Sequence, residues 1–155
     1  MEKQTPIEWK EYFLEIAHTV SKRSNCLRAK VGAVIVGEDK KIKATGYNGV
    51  PSKVLSCMEL GECYRIKNKI ESGTRYETCR SIHAEQNAII QAGQDRCKGS
   101  TMYIYGHNFV CILCKRFILQ AKIQNIILKK DDNSPIVRLT AEDLRQELEH
   151  TENSK

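Results

Sequence analysis

His83-Ala84-Glu85 and, further along, Cys111-Ile-Leu-Cys114 are the residues of this chain best suited to chemistry. Imidazole and thiolate are preferred zinc ligands, and a catalytic zinc takes three protein ligands and keeps a fourth position for water. Glu85, two residues from His83, is placed to carry protons to and from that water. A metal that makes water easier to deprotonate, beside a carboxylate that moves the proton, is the machinery of metal-assisted hydrolysis. Taken alone, an H-x-E on a helix is usually accidental, and a CxxC is as often chance as it is a metal or redox motif. Here each motif opens an apolar, helix-like run and a strand-like run separates them, which points to one zinc site.

The elements that carry these residues must aim them at one point. On a regular helix, residues i and i+2 face nearly opposite sides, so His83 and Glu85 converge only if His83 sits at the helix start. The periodicity predicts helices over His83–Ala92, with Gly93 as C-cap, and over Cys111 to about Ala121. Cys111 and Cys114, at i and i+3, then share one face of a first turn. Two thiolates and a neutral imidazole bring a zinc ion close to zero net charge. The positive ends of two helices offset part of that loss of Lewis acidity and favour thiolate.

Around these motifs the chain reads as one domain over 1–155. Glu8 to about Arg23 is an amphipathic helix with Trp9, Tyr12, Phe13, Ile16 and Val20 on its apolar stripe. Val31–Val36 and Lys41–Tyr47 form a hairpin about a Gly37–Lys40 turn. Residues 52–81 are a long, polar, cysteine-bearing insert, a kind of loop uncommon unless functional or held in place. Ser100–Tyr105, Gln124–Leu128 and Ile136–Leu139 read as strands, and 140–155 as a capped final helix and tail. The order αββ then αβαβ predicts an α/β sheet with helices on both faces.

Composition excludes some classes. No apolar run approaches the ~20 residues of a membrane span, and the first residues lack the apolar region of a secretory signal, which suggests a cytoplasmic location. Seven cysteines in a reducing cytosol are more often ligands or buried thiols than disulfides. The net charge of +6 suits an anionic partner, a nucleotide phosphate as well as a nucleic acid.

H-x-E followed by P-C-x-x-C is the pattern of zinc-dependent nucleobase deaminases. The chain departs from it at Val110, where the pattern has proline, and proline is not a ligand. Further marks extend the likeness: Cys26-Leu-Arg-Ala-Lys-Val-Gly-Ala-Val-Ile-Val36, Gly46-Tyr-Asn-Gly-Val-Pro-Ser52, Cys79-Arg-Ser-Ile-His-Ala-Glu-Gln-Asn-Ala-Ile89 and Ala121-Lys-Ile-Gln-Asn-Ile-Ile127. From Trp9 to Lys129 the chain resembles the deoxycytidylate (dCMP) deaminases of the cytidine deaminase-like superfamily, including late-competence operon proteins of that type.

The resemblance implies a three-layer α/β/α sandwich around a central mixed sheet of about five strands. It implies catalytic Zn²⁺ on His83, Cys111 and Cys114, with Glu85 as proton shuttle. Asn48 would bond the sugar, beyond its plain reading as an Asn-Gly turn, and Ala84 would also contact substrate. Among Arg28, Arg80, Lys115 and Arg116, Arg28 is the first choice for the phosphate. Some similar deaminases hold a second, structural zinc, for which Cys26, Cys57, Cys63 and Cys79 supply four thiols here. Cys97 reads as a simple thiol, and His107 as an exposed loop residue in preference to a pocket residue. Tyr105-Gly-His-Asn-Phe109 stands where relatives carry a strand-end Thr-His. The implied reaction is dCMP to dUMP and ammonia by a homo-oligomer, and the Gly46–Ser52 stretch is linked in that family to dCTP and dTTP as effectors. The alternatives are a deaminase of another cytosine or adenine nucleoside, nucleotide or tRNA base, and an inactive deaminase-fold partner in DNA uptake. Against nucleic acid stands the absence of a basic tail or a stacking aromatic cluster.

Overall fold

In the computed structural model, residues 1–150 are described, and the expected tail at 151–155 lies outside them. Helix α1, Trp9–Ser21, buries Phe13, Leu14, Ala17 and Ser21. This corrects the expected stripe: Trp9 is 54% and Tyr12 41% exposed, with the Trp9 ring stacked on Phe13. Small residues decide which side goes down. A Cβ on Gly32 would meet the carbonyl oxygen of Ala17 at 2.0 Å, so helix and strand touch backbone to backbone there.

Strand β1, Gly32–Val36, is buried along its whole length, as a strand covered on both faces must be. It pairs antiparallel with β2, Ile42–Tyr47, through the expected turn, where Lys40 N–H donates to Gly37 O at 3.0 Å. The cysteine-bearing insert holds only short turns, α2 (Cys57–Leu60), α3 (Tyr64–Lys67) and a 3₁₀ turn at Tyr76–Thr78. Helices α4, Ala84–Ala92, and α5, Gln94–Cys97, lead to β3, Thr101–Tyr105, antiparallel to β1 on its other side. Helix α6, Ile112–Gln120, makes the crossover to β4, Asn125–Lys129, parallel to β3. Strand β5, Val137–Thr140, returns antiparallel, and α7, Ala141–Glu149, starts at a Thr140–Asp143 capping box.

The sheet order is β2-β1-β3-β4-β5, a mixed five-stranded sheet as expected. One face packs Val34, Val36 and Tyr103 against Phe13, Leu14 and Ala17 of α1. The other packs Ile35, Met102, Ile104, Ile126 and Leu128 against α4, α6 and α7, with Ile118 and Leu144 fully buried. No described helix is long and apolar enough to cross a membrane.

Gly46 fixes how closely α4 lies on β2. An added Cβ would sit 2.4 Å from both Ala84 O and Ala88 N, backbone atoms that cannot step aside alone. Gly46→Ala is therefore expected to cost about 1–3 kcal/mol or more through overpacking. Urea unfolding would read it, and an unchanged midpoint would mean that α4 moves freely.

The polar insert is tied down by one side chain. Arg65, only 5% exposed, donates to the carbonyl oxygens of Glu71 (3.2 Å), Thr74 (2.6 Å) and Arg75 (2.5 Å) and to Thr78 Oγ1 (2.9 Å). A buried charge is tolerable only when its donors are satisfied in this way. Asn48 and Gly49 form no hairpin turn: Gly49 continues into an isolated bridge with Ile82 and so joins β2 to the approach of α4.

Candidate metal centre and its cavity

His83 is the N-cap of α4, with extended backbone (φ −70°, ψ 154°), and Glu85 is the second residue of the helix. This lets residues i and i+2 face one place, because His83 has not yet entered the helical spiral. The cap is braced by Gln86 Oε1, which accepts from His83 N–H at 3.0 Å. Cys111 is likewise the N-cap of α6, and its Sγ accepts from Cys114 N–H at 3.3 Å. Both helix N-termini therefore face the same point, with their partial positive charge directed at it.

His83 Nδ1 lies 3.3 Å from both Cys111 Sγ and Cys114 Sγ. Zinc–sulfur bonds of about 2.3 Å and zinc–nitrogen bonds of about 2.0–2.1 Å at tetrahedral angles place donors roughly 3.4–3.8 Å apart. The donor set and its spacing fit zinc. Among the described residues it is the one such group whose ligand atoms lie within 4.8 Å of one another. Glu85, 3% exposed, has its Oε2 3.4 Å from Cys114 Sγ. Hydrogen bonds from Cys114 and His83 hold the Cys111 thiol down at about 4, despite burial. The bond to Cys111 raises His83, while Cys114 is pushed up by its bond to Cys111, by burial and by the Glu85 charge. The site thus already favours thiolate at Cys111.

The group opens on a cavity of about 240 Å³. Arg28 lines it, and its Nη1 is buried with no hydrogen-bond partner among the described residues. Such an orphaned guanidinium donor is costly unless something anionic or polar meets it. The other basic candidates lie elsewhere. Arg80 is exposed and donates to Leu55 O, Lys115 pairs with Glu147 of α7, and Arg116 borders a separate depression.

Asn48, 9% exposed, lines the cavity but also holds its wall together. Its Oδ1 accepts from Val31 N–H and its Nδ2 donates to Ala29 O, both at 2.8 Å, so one N–H of Nδ2 is left over. Ala84, fully buried, lines the cavity as the first residue of α4, where a backbone N–H has no partner within its helix. Cys26, Cys57, Cys63 and Cys79 all line the same cavity. Burial raises the Cys57 thiol, and the neighbouring Cys63 and Cys26 thiols add to it. The four do not converge as the His83 group does. Cys97 is fully buried, a simple thiol.

His107 is a correction. It is half-buried and lines the cavity instead of standing in solvent, and burial lowers its pKa. Val110 is 4% exposed and belongs to the main core, so the residue in proline's place packs. Sequence reasoning missed Arg65 and Tyr76. Tyr76 lines the cavity with its ring edge-on to His83, centroids 5.0 Å apart, and burial with the neighbouring thiols of Cys111 and Cys114 pushes its hydroxyl up to about 12.

Comparison with known proteins agrees with this geometry. Residues 7–130 match the family model of the cytidine and deoxycytidylate deaminase zinc-binding region. The chain is 38% identical over 119 residues to a deoxycytidylate deaminase of Schizosaccharomyces pombe, covering 77% of this chain but only 36% of that protein. It is 32% identical over 128 residues to a deoxycytidylate deaminase of Mycobacterium phage D29, covering 80% of this chain and 96% of the phage protein. Among solved structures, the dCMP deaminase of cyanophage S-TIM5 in complex with dCMP and dUMP is similar at a TM-score of 0.58. It is 28% identical, with 81% of this chain and 83% of that one covered. The chain belongs to the family defined by the cytidine and deoxycytidylate deaminase zinc-binding region.

Proposed function

We propose that this protein deaminates dCMP hydrolytically to dUMP and ammonia. The observation that carries the reading is the convergence of His83 Nδ1, Cys111 Sγ and Cys114 Sγ beside the buried Glu85, at the floor of a cavity holding an orphaned arginine donor. The D29 and S-TIM5 likenesses support dCMP as the substrate. His83, Cys111 and Cys114 would hold the zinc. When bound, zinc supplies the Lewis acidity that lets a water molecule lose its proton near neutral pH.

The protein's own groups do the rest. Glu85 takes that proton on its carboxylate and gives it to the ring nitrogen beside the attacked carbon; it then takes the second proton from the hydroxyl now on that carbon and passes it to the departing amine, leaving a ring carbonyl and ammonia. The free N–H of Ala84 at the start of α4 is a donor for a base carbonyl. The remaining N–H of Asn48 Nδ2 is available to a sugar hydroxyl, and Arg28 Nη1 to the phosphate. Tyr76 and His107 wall off solvent.

Ammonia release from dCMP, CMP, deoxycytidine and cytosine tests this directly. Turnover of dCMP above the others is expected, and turnover of none would overturn the reading. Removing a charge-assisted hydrogen bond costs about 1.5–3 kcal/mol, so Arg28→Gln is expected to raise KM for dCMP by about 10–100-fold. Weak turnover of deoxycytidine should be unchanged. Equal losses on both substrates would place Arg28 away from the phosphate.

Three further readings have support. All four cysteines line the same cavity wall, which supports a structural zinc there, although no three of them bring their sulfurs within 4.8 Å of one another. Ile90, Ile112 and Phe117 stand exposed on α4 and α6, an apolar face suited to further copies of the chain. Seven cysteines without a disulfide among the described residues suit the cytoplasm.

A further inference from the structure

Between the end of α1 and the start of β1, residues 22–31 form neither helix nor strand, yet this loop carries Arg28 to the cavity. Two buried side-chain nitrogen or oxygen atoms lack a hydrogen-bond partner among the described residues, Asn25 Oδ1 and Arg28 Nη1, and both belong to it. The loop is fastened to Asn48, the residue after β2. Asn48 N–H donates to Val31 O at 3.3 Å, its Oδ1 accepts from Val31 N–H, and its Nδ2 donates to Ala29 O. A fourth bond comes from the loop itself. Ser24, 4% exposed, donates its hydroxyl to Asn48 O at 2.9 Å and accepts from Cys26 N–H at 3.3 Å. Arg28 is therefore held on both sides, at Ser24 before it and at Ala29 and Val31 after it. Beyond Asn48, Gly49 and Ile82 exchange both backbone bonds, at 3.1 and 2.8 Å, and Ile82 precedes His83. Asn48 thus ties the loop of the cation to the strand leading to a metal ligand.

We propose that Ser24 is a positioning residue for phosphate recognition, its bond to Asn48 closing a clamp on residues 24–31 that sets where Arg28 stands relative to the metal centre. This rests on the reading of Arg28 as the phosphate contact. The physical need is entropy. A long side chain on an irregular loop must be ordered when it binds an anion, and a backbone fixed beforehand removes the loop's share of that cost. A cation at a set distance from the metal also selects ligands by the span between their anionic group and their reacting ring. The bonds from Asn48 to positions 29 and 31 use only loop backbone, which any residue there supplies. The bond at position 24 needs a short side chain with a donor, and that is where the loop's own sequence enters the clamp. Removing the hydroxyl deprives Asn48 O of this donor and frees the chain ahead of Arg28.

The test is steady-state kinetics of the zinc-loaded full chain on dCMP and on deoxycytidine. Ser24→Ala is expected to raise KM for dCMP about tenfold and to change kcat by no more than about twofold, the scale of one buried hydrogen bond. KM for deoxycytidine, which has no phosphate, should not rise. In an Arg28→Gln background, Ser24→Ala should raise KM for dCMP no further, because both changes remove one contact. An unchanged KM for dCMP in Ser24→Ala, an equal rise for deoxycytidine, or effects that multiply in the double variant would each overturn the proposal. If Ser24→Ala does not fold, Ser24→Cys, close in size but a weak donor, decides by the same comparisons. An Arg28→Gln variant with the wild-type KM would instead sink the phosphate reading beneath the inference. A wild-type chain releasing no ammonia from dCMP would sink the deaminase reading itself.

Discussion

Glu85→Gln is expected to lower kcat for dCMP by about 10²–10⁴-fold, the range that positioned proton transfer contributes, while zinc content stays at the wild-type level. The reasons are geometric. Glu85 is 3% exposed and lies 3.4 Å from Cys114 Sγ, close to the ligand set without belonging to it. Glutamine keeps the shape and the hydrogen-bonding reach but cannot accept and return a proton. Because the carboxylate is buried beside the ligand atoms, alanine would open a void there, which is why the isosteric change is the sharper probe. Ammonia release and zinc per chain should be measured on one preparation. Activity near wild type would remove Glu85 from the chemistry, and loss of zinc along with activity would make it a structural neighbour of the metal instead.

The second large effect is expected from Cys114→Ala. Cys114 is fully buried, and its Sγ is 3.3 Å from His83 Nδ1, so alanine leaves an apolar gap where a donor stood. With two donors left, zinc at this centre should be lost and turnover with it, and added zinc should not restore either. In the wild type, chelation should abolish turnover and zinc should bring it back. Metal at 1,000 times its Kd stabilises a folded protein by about 4 kcal/mol, so the variant should also lose the zinc-dependent rise in Tm. The residual count is informative. If the Cys26, Cys57, Cys63 and Cys79 thiols hold a structural zinc, wild type carries two ions and Cys114→Ala one; if not, the counts are one and none. Retention of full activity by Cys114→Ala would refute the metal assignment outright.

How much of this was legible beforehand depended on how local the cause was. The meeting of His83 with Cys111 and Cys114 was, because a CxxC at a helix start and an H-x-E at an N-cap are set by the geometry of one turn. The sheet was legible from short β-branched runs such as Val31–Val36, and its mixed, roughly five-stranded character from the resemblance; its order was not. The tilt of α1 was not: Trp9 and Phe13 look alike to a hydrophobic pattern, and the close approach of Ala17 to Gly32 chooses between them. Arg65 was illegible for a different reason. Its partners are mainly backbone carbonyls, which every residue has, so nothing in the composition of 71–78 marks them as a cradle. His107 looked like a loop residue because it is one; only the cavity wall behind it shows that the loop turns inward. Asn48 kept its expected place at the cavity, but the turn assigned to Asn-Gly gave way to a bridge with Ile82.

The parallel pairing of β3 with β4 also sets a timetable for assembly. The β1–β2 hairpin can close locally, in about 1–10 μs. Strand β3 must instead cross the whole insert and α4 to find β1, and then wait for α6 to bring β4 alongside. His83 leads the helix before β3 and Cys111 the helix after it. The imidazole and the two thiols therefore meet only through contacts of long sequence separation, the kind that forms slowly. Unlike a zinc finger, where metal and folding arrive together, this chain draws its three donors from either side of β3, so zinc uptake is expected to follow the pairing of the sheet.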